Sequence, residues 1–318
     1  MLGLRYLSRS SNEERLAGLL LCLKEMESSP DPPSSTFEEI LSKLSPLFIA
    51  QLVCSRQPVA RDAGLTFLSL LPDALTPQFK KYSSLLLDSE LKAEVAVDHS
   101  TEACLVFEFV VRSMKGSSLA EVTSLIEVAL AGNNRIVSPT RLLSLITELS
   151  MLLLSPMRLS THAQNRLRDL VTQCLYLPSP PHSLRSQTLG AIRDLLRTVD
   201  SEWTVELLDD PREVGTFARL LCSIVRGELL LLLEHTLASR DAEEVATDSK
   251  EILLVCADIL ESAIALLLGQ GESESGPWAR LPCDGLLQIR KVGLLHYIPA
   301  RLYTCRCSTT SLLRFVSL

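Results

Sequence analysis

The chain of 318 residues carries 31 basic and 38 acidic side chains, and it is 47% hydrophobic but only 5% aromatic. A net charge of −7 leaves no electrostatic reason to hold a nucleic-acid backbone. That length allows two compact domains or one elongated array, and an aliphatic interior with scarce Gly and Pro points to an all-helical protein.

Residues 1–10 read as an N-terminal tail. The opening "MLGLRYLSRSSNEER" lacks an apolar core and a small-residue cleavage site, so no secretory signal is expected. From Ser11 the helix-start signals are regular. "SNEE" (Ser11, Glu14), "TFEE" (Thr36, Glu39), "SLAE" (Ser118, Glu121) and "THAQ" (Thr161, Gln164) are capping boxes. In each, a hydroxyl can satisfy an orphan N–H while the side chain three residues on reaches back. Ser138–Pro139 offers a further start with proline at the first helical position. Stops intervene at "SSPDPP" (28–33), Pro72, Gly116, "GNN" (132–134), "SP" (155–156) and "PSPP" (178–181).

Between these signals the apolar residues recur at helical spacing. "RLAGLLLCLKEM" sets Leu16, Leu19, Leu20 and Leu23 on one face, and "RLLSLITELSMLLL" does the same with Leu142, Leu145, Leu149 and Leu152. Starts near residues 11, 36, 118, 139, 161 and 182 give neighbouring intervals of 21 to 25, with shorter helices between 58 and 115. Two such helices make a unit of roughly 40–47 residues, the period of HEAT and armadillo repeats. The expected architecture is an α-solenoid of degenerate HEAT/armadillo-like repeats over residues 11–269, stacked as antiparallel helix pairs without a sheet.

"FARLLCSIVRGELLLLLEHTL", Phe217 to Leu237, is the greasiest stretch. Arg219, Arg226, Glu228 and Glu234 break it, and burying such charges in hydrocarbon costs about 2.5 kcal/mol or more each. It reads as a helix from about Thr216 to Ala238, apolar all round and flanked on both sides, with Leu230 and Leu233 fully buried. No transmembrane segment is expected. Nine cysteines, most of them single inside apolar helical patterns, read as reduced thiols of a cytoplasmic or nuclear protein.

No glycine-rich phosphate loop, nucleophile elbow, zinc-protease motif or kinase set occurs. His99, His162, His182, His235 and His296 are scattered, with no second ligand at i+3 or i+4. Cys305 and Cys307 form a close thiol pair without further ligands. Glu102/Glu108 and Asp209/Asp210 read as solvated or capping carboxylates. The chain is expected to have no catalytic, cofactor-binding or metal residues and not to be an enzyme.

Several stretches together resemble the neurochondrin family: "SNEERLAGLLLCLK" (11–24), "DSEWTV" (200–205), the long apolar helix at 217–237, "ILLVCADILESAIALLL" (252–268) and "WARLPCDGLLQIRKV" (278–292). No one motif is specific, but their order is. The resemblance covers residues 11–291 and implies a non-catalytic armadillo-like scaffold in the cytoplasm. It also implies partners among signalling kinases, receptor tails and spliceosomal Sm proteins, restraint of calmodulin-dependent kinase II phosphorylation, and a role in neurite outgrowth. The alternative is an unrelated HEAT-like adaptor in trafficking or transport. The opening Met1-Leu2-Gly3-Leu4 departs from the cysteines that family members carry there for lipidation, and family chains are about twice as long.

After a linker at 270–277 and a terminal helical segment at 278–291, the tail "VGLLHYIPARLYTCRCSTTSLLRFVSL" (292–318) changes character: it holds three arginines and no acid. A valine codon begins with the dinucleotide that opens most introns. The tail therefore reads either as translated intron or alternative exon, or as a divergent terminus with one short final helix.

Overall fold

The structure, a computed structural model, describes residues 3–28, 33–92, 100–132, 138–176, 182–204, 216–238 and 252–260. The linker, the segment 278–291 and the tail lie outside them, as do Cys305, Cys307 and Asp209/Asp210. Two compact units divide the chain, Met1–Trp203 and Thr204–Leu318.

The described residues are all-α. In the first unit the helices are α1 (Leu4–Leu7), α2 (Asn12–Glu27), α3 (Ser34–Lys43), α4 (Pro46–Val53), α5 (Pro58–Leu70), α6 (Ser83–Lys92) and α7 (Ser100–Ser113). They continue with α8 (Leu119–Ala131), α9 (Pro139–Met151), α10 (Thr161–Leu175) and α11 (His182–Thr198). A 3-10 turn, Thr76–Tyr82, sits between α5 and α6. β-type pairing among the described residues is confined to one bridge, Met157 with Val199.

The packing order defines a solenoid. α2, α5, α7, α9 and α11 touch in that order, and α4, α6, α8 and α10 touch in theirs. Each of α4, α6, α8 and α10 also packs on the helix that follows it. Two layers of helices therefore alternate along the chain, as when a helical pair that cannot bury its apolar face alone is stacked on neighbours. The α4, α6, α8 and α10 helices begin at Pro46, Ser83, Leu119 and Thr161, intervals of 36 to 42 residues and slightly shorter than expected.

Start signals translate unevenly into caps. Ser118 and Glu121 form the complete box, and Ser138–Pro139 opens α9 with proline in its first turn. Ser11 is the N-cap of α2, but its hydroxyl donates to Glu13 rather than entering a box with Glu14. Thr36 lies inside α3, because Pro33 in extended backbone starts that helix earlier and its carbonyl accepts from Thr36 N–H at 2.9 Å. Ser160, not Thr161, caps α10, and Gln164 reaches back to the Leu159 carbonyl at 3.0 Å.

Burial also rotates one face. In α2 the buried residues are Gly18, Leu19, Cys22, Leu23 and Met26, while Leu20 is exposed and Leu16 half-buried. The reason lies in residues 3–10: instead of trailing free they fold into α1, which packs on α2 and buries Leu7 completely. In α9, Leu142, Leu145 and Leu149 are buried as expected, and Leu152 is the half-buried C-cap. Gly64 lets α5 approach α4, since a Cβ there would stand 2.9 Å from the Val53 nitrogen. Gly116, at φ +74°, makes the turn out of α7 that an L side chain rarely adopts.

In the second unit α12 runs Thr216–Ala238, the bounds read from the sequence, and residues 252–260 are helical. It is not buried all round. Phe217, Leu221, Val225 and Glu228 form one buried stripe, whereas Leu230 is 41% and Leu231 55% exposed. The side chain of Leu233 lies outside the described set. An apolar circumference thus packs along one face, which corrects the expectation for Leu230. Leu221→Ala should cost about 2–5 kcal/mol, and Leu230→Ala less than about 1 kcal/mol. Urea unfolding of the two variants checks this difference.

Candidate functional site

Polar groups inside the first unit tie particular helices together. Arg61 of α5 grips Glu90 of α6 with Nη2 donating to both carboxylate oxygens, at 2.8 and 2.9 Å. Its Nη1 donates to the Val53 carbonyl at 3.2 Å, and the Glu90 side chain is 1% exposed. Arg168 of α10, also buried, donates to the Trp203 carbonyl at 2.9 Å and to Asn165. Thr198 of α11 donates to Ser150 of α9 at 2.8 Å, and Ser83 pairs with Ser113 at 2.9 Å. The Ser160 N–H donates to Glu127 of α8 at 2.8 Å. Most of these bonds are joints that tie one element to its neighbour.

A groove of about 700 Å³ lies between the Thr76–Tyr82 turn with the start of α6 on one wall and α8 on the other. Pro77, Met114 and Leu125 give it an apolar floor, and Gln78, Ser84 and Ser124 give its exposed polar edge. Lys80 Nζ meets Glu121 Oε2 across it at 2.7 Å. The same carboxylate oxygen accepts from Ser118 N–H and from the Ser118 hydroxyl, both at 2.8 Å. Hydrogen bonds from Lys80 first, then from Ser118, hold the Glu121 carboxyl down at about 2. Outside the groove lining, Asp73 accepts from Arg112 at 3.2 Å and from Lys115 at 3.3 Å. The Lys115 hydrogen bond is the main cause that lowers the Asp73 carboxyl below its ordinary value.

A small acid response follows from Glu121, whose pair with Lys80 is exposed to screening solvent. Its folded-state carboxyl titrates below the 4.5 of the free group, so its contribution is present above that value and is lost as pH falls toward about 2. Wild-type unfolding followed over that window should lose stability that Glu121→Gln does not lose. Ser118→Ala, which removes the cap, should cost about 0.5–2 kcal/mol at neutral pH.

His99 and His296, and the side chains of Glu102, His182 and His235, lie outside the described residues, and neither His162 nor Glu108 lines this groove. His162 stands exposed at the start of α10, and Glu108 is exposed on α7. Burial pushes the thiols of Cys22 up to about 11 and of Cys174 to about 12. Cys256 rises to about 12 by burial, helped by the Glu228 carboxylate. Buried protonated thiols of this kind behave as small apolar core groups. Among the described residues no three His, Cys, Asp or Glu side chains gather to hold a metal ion, and no helix is long and apolar enough to cross a membrane. The sequence reading missed the groove and the Arg61–Glu90 joint. "KKY" at 80–82 and the lone arginine in "PVARDAGL" are the only local traces of them.

The class defined by the layered helices is an α-helical repeat protein with an open surface groove. No family model matches the chain, and no curated protein matches it. Among solved structures it is similar to a designed armadillo repeat protein, at 10% identity and a TM-score of 0.42 over 80% of this chain and 98% of that one. It is also similar to two engineered proteins. One matches at 11% identity and 0.43 over 99% and 86% of the two chains, the other at 12% and 0.29 over 92% and 96%. The helix packing itself, rather than these likenesses, defines the fold class.

Proposed function

We propose that the chain is a cytoplasmic helical-repeat scaffold of the neurochondrin type, binding segments of partner proteins and tuning signalling linked to neurite outgrowth. The observation that carries this reading is the order of the resembling stretches between residues 11 and 291. The stretches at 11–24 and 217–237 fall on α2 and α12, and that at 252–268 opens on the helical residues 252–260. Support for the binding role comes from the two helix layers, since stacked repeats present long exposed faces suited to extended partner segments. Signalling kinases, receptor tails and Sm proteins are the partner classes the resemblance brings. Nothing in this role requires a reaction on the chain.

The test is a calmodulin-dependent kinase II assay on a protein substrate, with the purified full chain titrated in. A dose-dependent fall in phosphorylation is expected. An unchanged rate with the chain in large excess over the kinase contradicts the neurochondrin-type reading.

A further inference from the structure

We propose that the groove between the Thr76–Tyr82 turn and α8 takes a short acidic peptide segment of a partner protein, its carboxylates meeting Lys80 and Lys81 while an apolar side chain lies over Met114 and Leu125. The proposal rests on the scaffold reading and names the chemistry of its partner.

Volume and charge carry it together. A cleft of about 700 Å³ lies within the roughly 300–1,000 Å³ range of clefts that bury a ligand. The groove lining holds two cations, Lys80 and Lys81, against one carboxylate, Glu121. That local surplus is positive in a chain of net charge −7, so the patch stands against its background.

The internal carboxylate displays how an incoming one would be held: Glu121 binds Lys80 across the groove at 2.7 Å. Lys81 is exposed, lies 5.0 Å from the Tyr82 ring centre, and has no carboxylate partner among the described residues. The Lys80 and Glu121 side chains are 31% and 47% exposed. Exposed pairs of this kind contribute little, so a partner carboxylate can take the place of Glu121 on Lys80. Gln78, Ser84 and Ser124 offer hydrogen bonds to a peptide backbone along the rim. A phosphate polymer or an anionic membrane would need a longer run of cations than Lys80 and Lys81.

The experiment is fluorescence anisotropy of a short fluorescein-labelled Glu/Leu peptide titrated with the full chain at low salt. Saturable binding is expected, weakening as salt screens the charges. Lys81→Glu should weaken it about tenfold or more, and Glu121→Gln should strengthen it by removing the internal competitor. Both variants should keep the wild-type helical circular dichroism. Equal affinity for wild type and Lys81→Glu would overturn this site while leaving the scaffold reading standing. Preference for a Lys/Leu peptide, single-stranded RNA or anionic vesicles would overturn the acidic-peptide assignment. A kinase assay that fails while the peptide binds as described would remove the neurochondrin-type reading and keep the groove.

Discussion

Glu90→Gln should lower the unfolding free energy by about 3–5 kcal/mol, because it removes a buried carboxylate that grips a guanidinium held between α5 and α6. Geometry sets that expectation. Glu90 is 2% exposed, and Arg61 gives one nitrogen to both of its oxygens and another to the Val53 carbonyl. In the mutant the Arg61 charge stays largely out of water, facing a neutral amide. Arg61→Met/Glu90→Leu, which removes both charges and keeps apolar volume, should recover most of the loss, as replacement of a whole buried pair often does. Chemical denaturation of wild type, single and double variants forms the cycle. A Glu90→Gln cost below about 1 kcal/mol would place the pair in solvent.

Phe109→Ala should cost about 3–5 kcal/mol as well, through a cavity rather than a charge. Phe109 is 1% exposed on α7, and its ring meets Phe79 of the 3-10 turn edge-on, with centroids 5.3 Å apart and planes at 86°. Arg112 lies over the same ring at 5.7 Å. Because α7 touches α5, α6, α9 and the turn, its collapse cannot be absorbed by one neighbour. The loss should also loosen the turn that carries Lys80 and Lys81. Thermal unfolding and exchange of the amides of residues 76–82 follow the two effects separately.

Local signals in the sequence located helices better than they located contacts. The apolar run and its flanks placed α12 at its observed bounds, since hydrophobic length and terminal polar residues act within one segment. The start at Ser118 was legible for the same reason: both partners of its box are three residues apart. Thr161 and Thr36 were one and several residues inside, because a hydroxyl shows that a start is near while neighbouring geometry chooses the cap. At α10 the Ser160 N–H is already fixed by Glu127, thirty-three residues away.

Faces depend on neighbours in the same way. Leu20 fits the leucine stripe of α2 by spacing, yet α1 lies against the Gly18 and Cys22 side and turns Leu20 outward. Leu230 sits in an apolar run, yet among the described side chains of α12 the buried ones are Phe217, Leu221, Val225 and Glu228. Arg61 and Glu90 are twenty-nine residues apart, so their pairing exists only once α5 and α6 stand together. The groove is a product of the same long-range placement, and single-sequence periodicity carries no record of it.

The alternation of two helix layers is tested most directly where α9 and α11 meet without α10 between them. Thr198 donates to Ser150 at 2.8 Å across that contact, forty-eight residues apart. Ser150→Cys/Thr198→Cys, oxidised under native conditions and mapped by peptide mass spectrometry, should yield the intramolecular 150–198 disulfide in the folded monomer. If both introduced thiols remain free and alkylate while the protein is folded, α9 and α11 are not neighbours and the solenoid is contradicted.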